Sequence, residues 1–208
     1  MAVNANRPSG FLPVRHASGS PWNGSVRQYL IPAADGAACF IGDVVEHNAV
    51  GGAAGVFVSG INCEGMPTCK HSTLTSTGQA NVGVVVGFLP DPNNLTLRHR
   101  AASTGRIALV CVDPTVIYEV QEDADTTPLT SADVGLAIGI VTTAGSTTTG
   151  ISGMLLDSTT GATTSTLPFK IVAMVPRADN TISTGTTDKT KYEVIFNTGW
   201  NMPNSVGA

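Results

Sequence analysis

The sequence predicts an all-β protein, a barrel or a sandwich of jelly-roll-like or β-tulip-like form. Three observations lead there. Apolar, β-branched runs of strand length recur along the chain, each bounded by Gly, Pro, Asn or Asp. No segment of the 208 residues shows a sustained helical period with caps. Alternation of apolar and polar residues is clear in Val116 to Val120 and in Tyr192-Glu193-Val194-Ile195-Phe196. Short strands at this spacing, with turns throughout, argue for a closed or stacked β architecture.

Taken in order, the predicted strands are Gln28 to Ile31, Ala38 to Glu46, Gly55 to Ile61, Val82 to Leu89, Arg106 to Val112 and Thr115 to Gln121. They continue as Val134 to Val141, Ile151 to Leu156, Leu167 to Val175 and Lys191 to Asn197. One helical turn is expected at Thr130 to Val134, with Ser131 as its cap. The strands divide into two lobes, 28–121 and 122–197, at the acidic, turn-rich junction Glu122 to Pro128. One large Greek-key barrel would read the same way. Thr142 to Gly150 and Ser158 to Thr166 are Thr/Ser/Gly-rich tracts inside the second lobe. They read as hairpin tips or loops, or else as solvent-facing Thr ladders on strands.

The ends differ from this body. Residues 1–27 read as an extended arm, punctuated by Pro8, Gly10, Pro13, Gly19, Pro21 and Gly24. Such a tract cannot build a core of its own. Its charges are all positive: Arg7, Arg15 and Arg27 precede Asp35, the first carboxylate, in a chain with 11 Lys+Arg against 15 Asp+Glu. The arm is expected to lie on a partner, seating Phe11 and Trp22 in pockets and pairing its arginines with acidic groups. Tyr29 at its junction with the body extends that contact set. Residues 198–208 form a shorter arm, with Trp200 and Met202 as further anchors. Deleting residues 1–27 is expected to abolish partner binding and leave the β lobes folded.

Composition narrows the function classes. Hydrophobic residues make up 42% of the chain, ample for a core, whereas charged residues are only 12%, against about 25% in an average soluble domain. A surface so poor in charge suits permanent assembly. The net charge of −4 argues against nucleic acid as the main partner. Apolar stretches such as Val82 to Leu89 fall far short of the roughly 20 residues a bilayer requires, so no membrane span is expected. Met1 to Gly10 lacks an apolar signal region, which predicts synthesis in a cytoplasm with Cys39, Cys63, Cys69 and Cys111 reduced.

Signs of chemistry are sparse. The sequence has no G-x-S-x-G elbow, Walker A loop, H-E-x-x-H helix or EF-hand loop. Cys63, Cys69 and His71 form C-x5-C-x-H, which is not a standard zinc spacing. Glu119, Glu122, Asp123 and Asp125 are the one carboxylate cluster. They could hold Ca²⁺, serve as a glycosidase acid pair, or receive arginines from another subunit; the bland reading is a solvated strand end. Arg98, Arg100 and Arg106 surround His99 in what reads as a charged loop. The expectation is a protein without enzymatic activity, cofactor or metal.

Several stretches together carry a resemblance. They are Asn4-Ala5-Asn6-Arg7-Pro8-Ser9-Gly10, Pro21-Trp22-Asn23-Gly24, Tyr29-Leu30-Ile31-Pro32 and Val82-Gly83-Val84-Val85-Val86-Gly87-Phe88. Further on come Tyr118-Glu119-Val120-Gln121-Glu122-Asp123-Ala124-Asp125, Ala132-Asp133-Val134-Gly135-Leu136, Gly153-Met154-Leu155-Leu156-Asp157-Ser158 and Ile171-Val172-Ala173-Met174-Val175-Pro176-Arg177. In these the chain resembles the capsid cement (decoration) proteins of tailed bacteriophages. The resemblance implies a non-enzymatic β-rich protein on the outside of an icosahedral shell, assembled in the bacterial cytoplasm. It further implies the major capsid protein as partner, and self-association as a homotrimer, or a homodimer. This chain is longer than the small single-lobe members. Head-fibre or tail-tube proteins and glycan-binding β modules are the competing expectations.

Overall fold

The all-β expectation holds. The structure, a computed structural model, describes residues 4–48, 51–73, 81–182, 185 and 189–197. Its strands are β1 Leu12–His16, β2 Arg27–Ile31, β3 Val44–His47, β4 Phe57–Val58, β5 Ile61–Asn62, β6 Cys69–His71, β7 Asn81–Phe88, β8 Arg106–Cys111, β9 Val116–Gln121, β10 Ala137–Val141, β11 Leu155–Ala162, β12 Phe169–Met174 and β13 Lys191–Phe196.

Most of these strands form two antiparallel sheets. The first has six strands in the order β1-β9-β13-β12-β10-β11; the second has five, in the order β2-β8-β7-β3-β6. The five-stranded sheet curls until its ends meet. Leu30 bridges Thr68 in parallel, with the Leu30 N–H donating to the Pro67 carbonyl at 2.9 Å. An odd number of antiparallel strands leaves the first and last pointing the same way, so the closing contact has to be parallel. Closure also removes two free edges.

This curl explains why Val82 to Leu89 reads as a continuous apolar run rather than an alternating one. Strands of the barrel are buried on both faces. Val45, Val85 and Val110 face the barrel interior with Tyr29, Ile31, Cys39 and Cys69. Their chain neighbours Val44, Val84 and Cys111 face outward, into a larger core shared with the six-stranded sheet. That core takes Val116, Tyr118, Val120, Ile138, Ile140, Phe169, Ile171, Tyr192, Val194 and Phe196 from the sheet's inner face. The molecule is therefore a barrel packed on a sheet, with one core inside the barrel and one between the two layers. At Gly83 the strands approach so closely that a Cβ would collide with the Cys111 carbonyl.

The 121/122 division does not separate the sheets. β9, on one side of it, pairs with β13 on the other along Gln121–Lys191 through Ile117–Ile195. The shared core likewise draws on residues from both sides. The segment after the division is acidic, as a solvated junction would be, yet Glu122 is buried there and its carboxylate accepts from the N–H groups of Leu129 and Thr190.

Several predicted strands end early, for local reasons. Ala38 to Glu46 yields only β3, because Gly42 turns at φ +95° and Asp43 takes the Phe40 N–H at 2.7 Å. Gly55 to Ile61 is a two-residue hairpin turning on Ser59 and Gly60, both with positive φ, as type I′ turns require. The helical turn is a short 3-10 turn at Ser131–Asp133, capped by Thr130 rather than Ser131. Asp133 answers with its own bond to the Thr130 N–H at 2.7 Å, completing a capping box. β11 runs into the Thr-rich tract as far as Ala162, so its first residues are strand, while Thr142 to Gly150 is loop apart from Gly150's neighbouring bridge at Ile151.

Candidate functional site

The sequence places its candidate contacts in the N-terminal segment, and the structure shows where each of them goes. The segment is not a free arm. Asn4 is buried, and its amide donates to the Thr181 carbonyl at 2.6 Å and accepts from the Thr181 N–H at 3.0 Å. The Arg7 N–H donates to Gln121 Oε1 at 3.0 Å, and Gln121 Nε2 donates back to the Ala5 carbonyl at 3.2 Å. Gly10 turns with φ +63° where a side chain would strike Gly42 and Ser152. That turn sends Phe11 inward.

Phe11 is 0% exposed and stacks on Phe169 with ring centroids 4.5 Å apart. It fills a pocket of its own chain, not of a partner. Residues 12–16 then become β1, an added strand on the six-stranded sheet, pairing Leu12 with Glu119 and His16 with Val116. The chain doubles back, and the Trp22 N–H donates to the Val14 carbonyl at 3.2 Å. Trp22 is half-buried and packs against the shared core. Tyr29 lies in the barrel core, where burial pushes its phenol pKa up. Three expected partner anchors, Phe11, Trp22 and Tyr29, are thus internal packing residues. The physical reason is direct: a segment that cannot build a core can complete one built by other strands. Trp200 and Met202 lie outside the described residues.

The arginines divide as well. Arg15 pairs with Glu193, a nearly buried carboxylate on β13. Glu193 stands directly opposite Glu119 on β9, and like charges in that position repel. Lys191 Nζ, at 3.1 Å, and Arg177 Nη2, also at 3.1 Å, offset Glu119, while Arg15 offsets Glu193. Arg15 therefore balances charge within the molecule. Arg7 and Arg27 have exposed side chains, and so do Leu12 and Val14 on β1. These four are the predicted arginines and the larger apolar side chains that the N-terminal segment leaves exposed.

Arg100 and Arg106 serve the fold. Arg100 is 0% exposed and donates to the carbonyls of Thr104 at 2.7 Å, Pro32 at 2.8 Å, Asp35 at 2.6 Å and Ala37. Arg106 stacks on Phe88 at 5.1 Å and donates to the carbonyls of Leu89, Leu97 and His99. Both tie down loops, whereas Arg98 is exposed. The carboxylate cluster is dispersed. Glu119 makes the ion pairs above, and Asp125 accepts from the N–H and hydroxyl of Thr126. Asp123 accepts from the Ser158 N–H at 3.0 Å. Glu122 accepts from the N–H groups of Leu129 at 2.7 Å and Thr190 at 3.2 Å, and burial pushes its pKa up.

The cysteines are likewise internal. Burial pushes the Cys39 and Cys69 thiols well up, which disfavours the reactive thiolate. Cys63 belongs to a separate small cluster with Leu30 and Ile107. Among the described residues no three His, Cys, Asp or Glu side chains are grouped to hold a metal ion. Likewise, none of the helices among them is long and apolar enough to cross a membrane.

Comparison with protein-family models, with curated proteins and with solved structures gives no match for this chain. Class and function rest on the residues themselves.

Proposed function

We propose that this chain is a virion structural protein that binds the outer surface of a tailed-phage icosahedral capsid and cements adjacent major capsid proteins. The observation that carries this reading is what the N-terminal segment leaves outside: Arg7 and Arg27 are exposed, and so are the apolar side chains Leu12 and Val14. Phe11 and Trp22, by contrast, are spent on the chain's own core. Positive charge with apolar area, ahead of an acidic remainder, suits an acidic protein surface. The low charge content supports permanent residence in an assembly. Stretches such as Asn4-Ala5-Asn6-Arg7-Pro8-Ser9-Gly10 and Pro21-Trp22-Asn23-Gly24 add the resemblance to cement proteins.

A lattice multiplies one modest contact into avidity, because each copy meets equivalent sites. Fixing the segment on the body before binding avoids an ordering cost of about 1–2 kcal/mol per backbone residue. Self-association as a homotrimer, or a homodimer, would add a second set of contacts.

The test is to mix purified protein with expanded capsid shells lacking it, then to sediment and image them. Saturable occupancy of fixed lattice positions is expected. Arg7→Glu with Arg27→Glu should weaken binding at low salt and leave the fold intact, since both side chains are exposed. Absence of saturable binding by the wild-type chain would overturn the proposal.

A further inference from the structure

One cluster on the barrel wall plays no part in that reading. β3 lies between β6 and β7; Glu46 on β3 pairs with Lys70 on β6 and, just past a break in the β3–β7 register between Val45 and Glu46, with Asn81 on β7. Three residues in cross-strand register leave the same face of the sheet. Their chain neighbours Val45, Cys69 and Val82 point into the barrel, so the three stand on its outer wall.

Their environment is unusual for a plain ion pair. Glu46 and Asn81 are each 1% exposed. Lys70 Nζ is 2.9 Å from Glu46 Oε1, with the lysine side chain 37% exposed. Among the described residues the other carboxylate oxygen, Glu46 Oε2, has no hydrogen-bond partner, and neither has Asn81 Nδ2. Buried polar atoms left without partners are uncommon and costly. Asn81 Oδ1 does have a partner: the Ser72 hydroxyl donates to it at 3.0 Å. An amine, a carboxylate that can carry a proton, and a polarised amide carbon are thus assembled in one row.

We propose that Lys70 and Asn81 become joined by an intramolecular isopeptide bond, with Glu46 as the proton carrier. Glu46 takes a proton from the Lys70 ammonium, leaving a neutral amine. The Nζ lone pair attacks Asn81 Cγ, and the Ser72 hydroxyl stabilises the charge that develops on Oδ1. Glu46 returns its proton to Nδ2 and accepts the second proton from Nζ. The Cγ–Nδ2 bond breaks, and ammonia departs with that second proton as ammonium. Lys70 ammonium plus Asn81 amide thus gives one secondary amide plus one ammonium ion, and Glu46 ends as the carboxylate it began. No oxidant or cofactor enters the balance. The reaction removes the orphan donor Nδ2, and the new amide N–H lies against the Glu46 carboxylate. Lys70 and Asn81 stand two strand spacings apart, about 9.6 Å, which an extended lysine and an asparagine side chain span together. The product would staple β6 to β7 across β3.

The test is intact-mass spectrometry on the full folded chain, incubated until its mass is constant, with peptide mapping after proteolysis. The expected result is a mass lower than the sequence mass by one ammonia, and a branched peptide joining Lys70 to Asn81. Lys70→Arg keeps the ion pair but has no competent amine, and Glu46→Gln cannot carry the proton; both should show the full sequence mass. A folded wild-type chain at full mass overturns the proposal. So does an ammonia deficit that persists in Lys70→Arg, even if Glu46→Gln fails to fold.

Discussion

Arg100 shows at single-residue scale what composition conceals. Three arginines fall within nine positions, and sequence gives no reason to bury one rather than another. The structure exposes Arg98 and buries Arg100, because four carbonyls from two loops converge on its guanidinium. Such convergence is a tertiary property with no local signature. Arg100→Leu would leave those carbonyls unpaired, and Asp35 would lose its ion-pair partner at 3.5 Å. A loss of about 3–5 kcal/mol is expected, read from urea unfolding at neutral pH. Glu122 gives a prediction in pH. Its folded pKa is raised from 4.5, chiefly by burial and against the bonds from Leu129 and Thr190. The folded state therefore holds the proton more tightly than the unfolded chain. Its contribution is most favourable below 4.5 and is lost as pH rises through the raised value. Unfolding free energy measured across that window should fall with pH in the wild type. Glu122→Gln should flatten this segment of the profile, and an unchanged slope would rule Glu122 out as its source.

At the scale of elements, strands that carry strong patterns were legible and those that borrow their stability were not. β7, β8, β9, β12 and β13 appear within a residue or two of where apolar runs and alternation put them. β6 is three residues, Cys-Lys-His, and exists because β3 offers it a partner edge. β1 contains a proline, an arginine and a histidine, and reads as tail until β9 is in place beside it. The candidate contacts suffered from the same ambiguity. An isolated aromatic between prolines and glycines fits a foreign pocket and a home pocket equally well. Phe11 settles inside its own molecule, so its role is testable through stability. Phe11→Ala should cost about 3–5 kcal/mol, seen in the urea midpoint, whereas the half-exposed Leu12→Ala should cost far less. Deletion of residues 1–27 should consequently destabilise the body rather than leave it folded, since it removes both Phe11 and β1. A truncated chain with wild-type stability would mean that this packing is dispensable.

For the whole molecule, the arrangement of edges bears on how copies meet. A β-rich protein with little charge is at risk of adding strands end to end. Here the barrel closes on itself through Leu30 and Thr68. The six-stranded sheet has two edges, and both are obstructed. Along β1, Arg15 bridges Pro21 and the His16 N–H donates to the Ser20 carbonyl, so returning chain occupies that side. Along β11, Glu122 bridges Leu156 and the Asp123 N–H donates to the Leu156 carbonyl. Residues Ser158 to Gly161 then bulge opposite Ile138, between the Ala137–Ala162 and Gly139–Asp157 pairs. Bulges twist an edge away from further pairing. Contacts between copies should therefore be made by side chains on closed surfaces, which gives assemblies of fixed size rather than strand-added fibres. Sedimentation velocity over a wide concentration range should show one or a few discrete species, with no growing fast boundary. Growth into tubes or fibres would instead favour a tail-tube or head-fibre role. A discrete species that also saturates capsid shells is the combination that a cement protein requires.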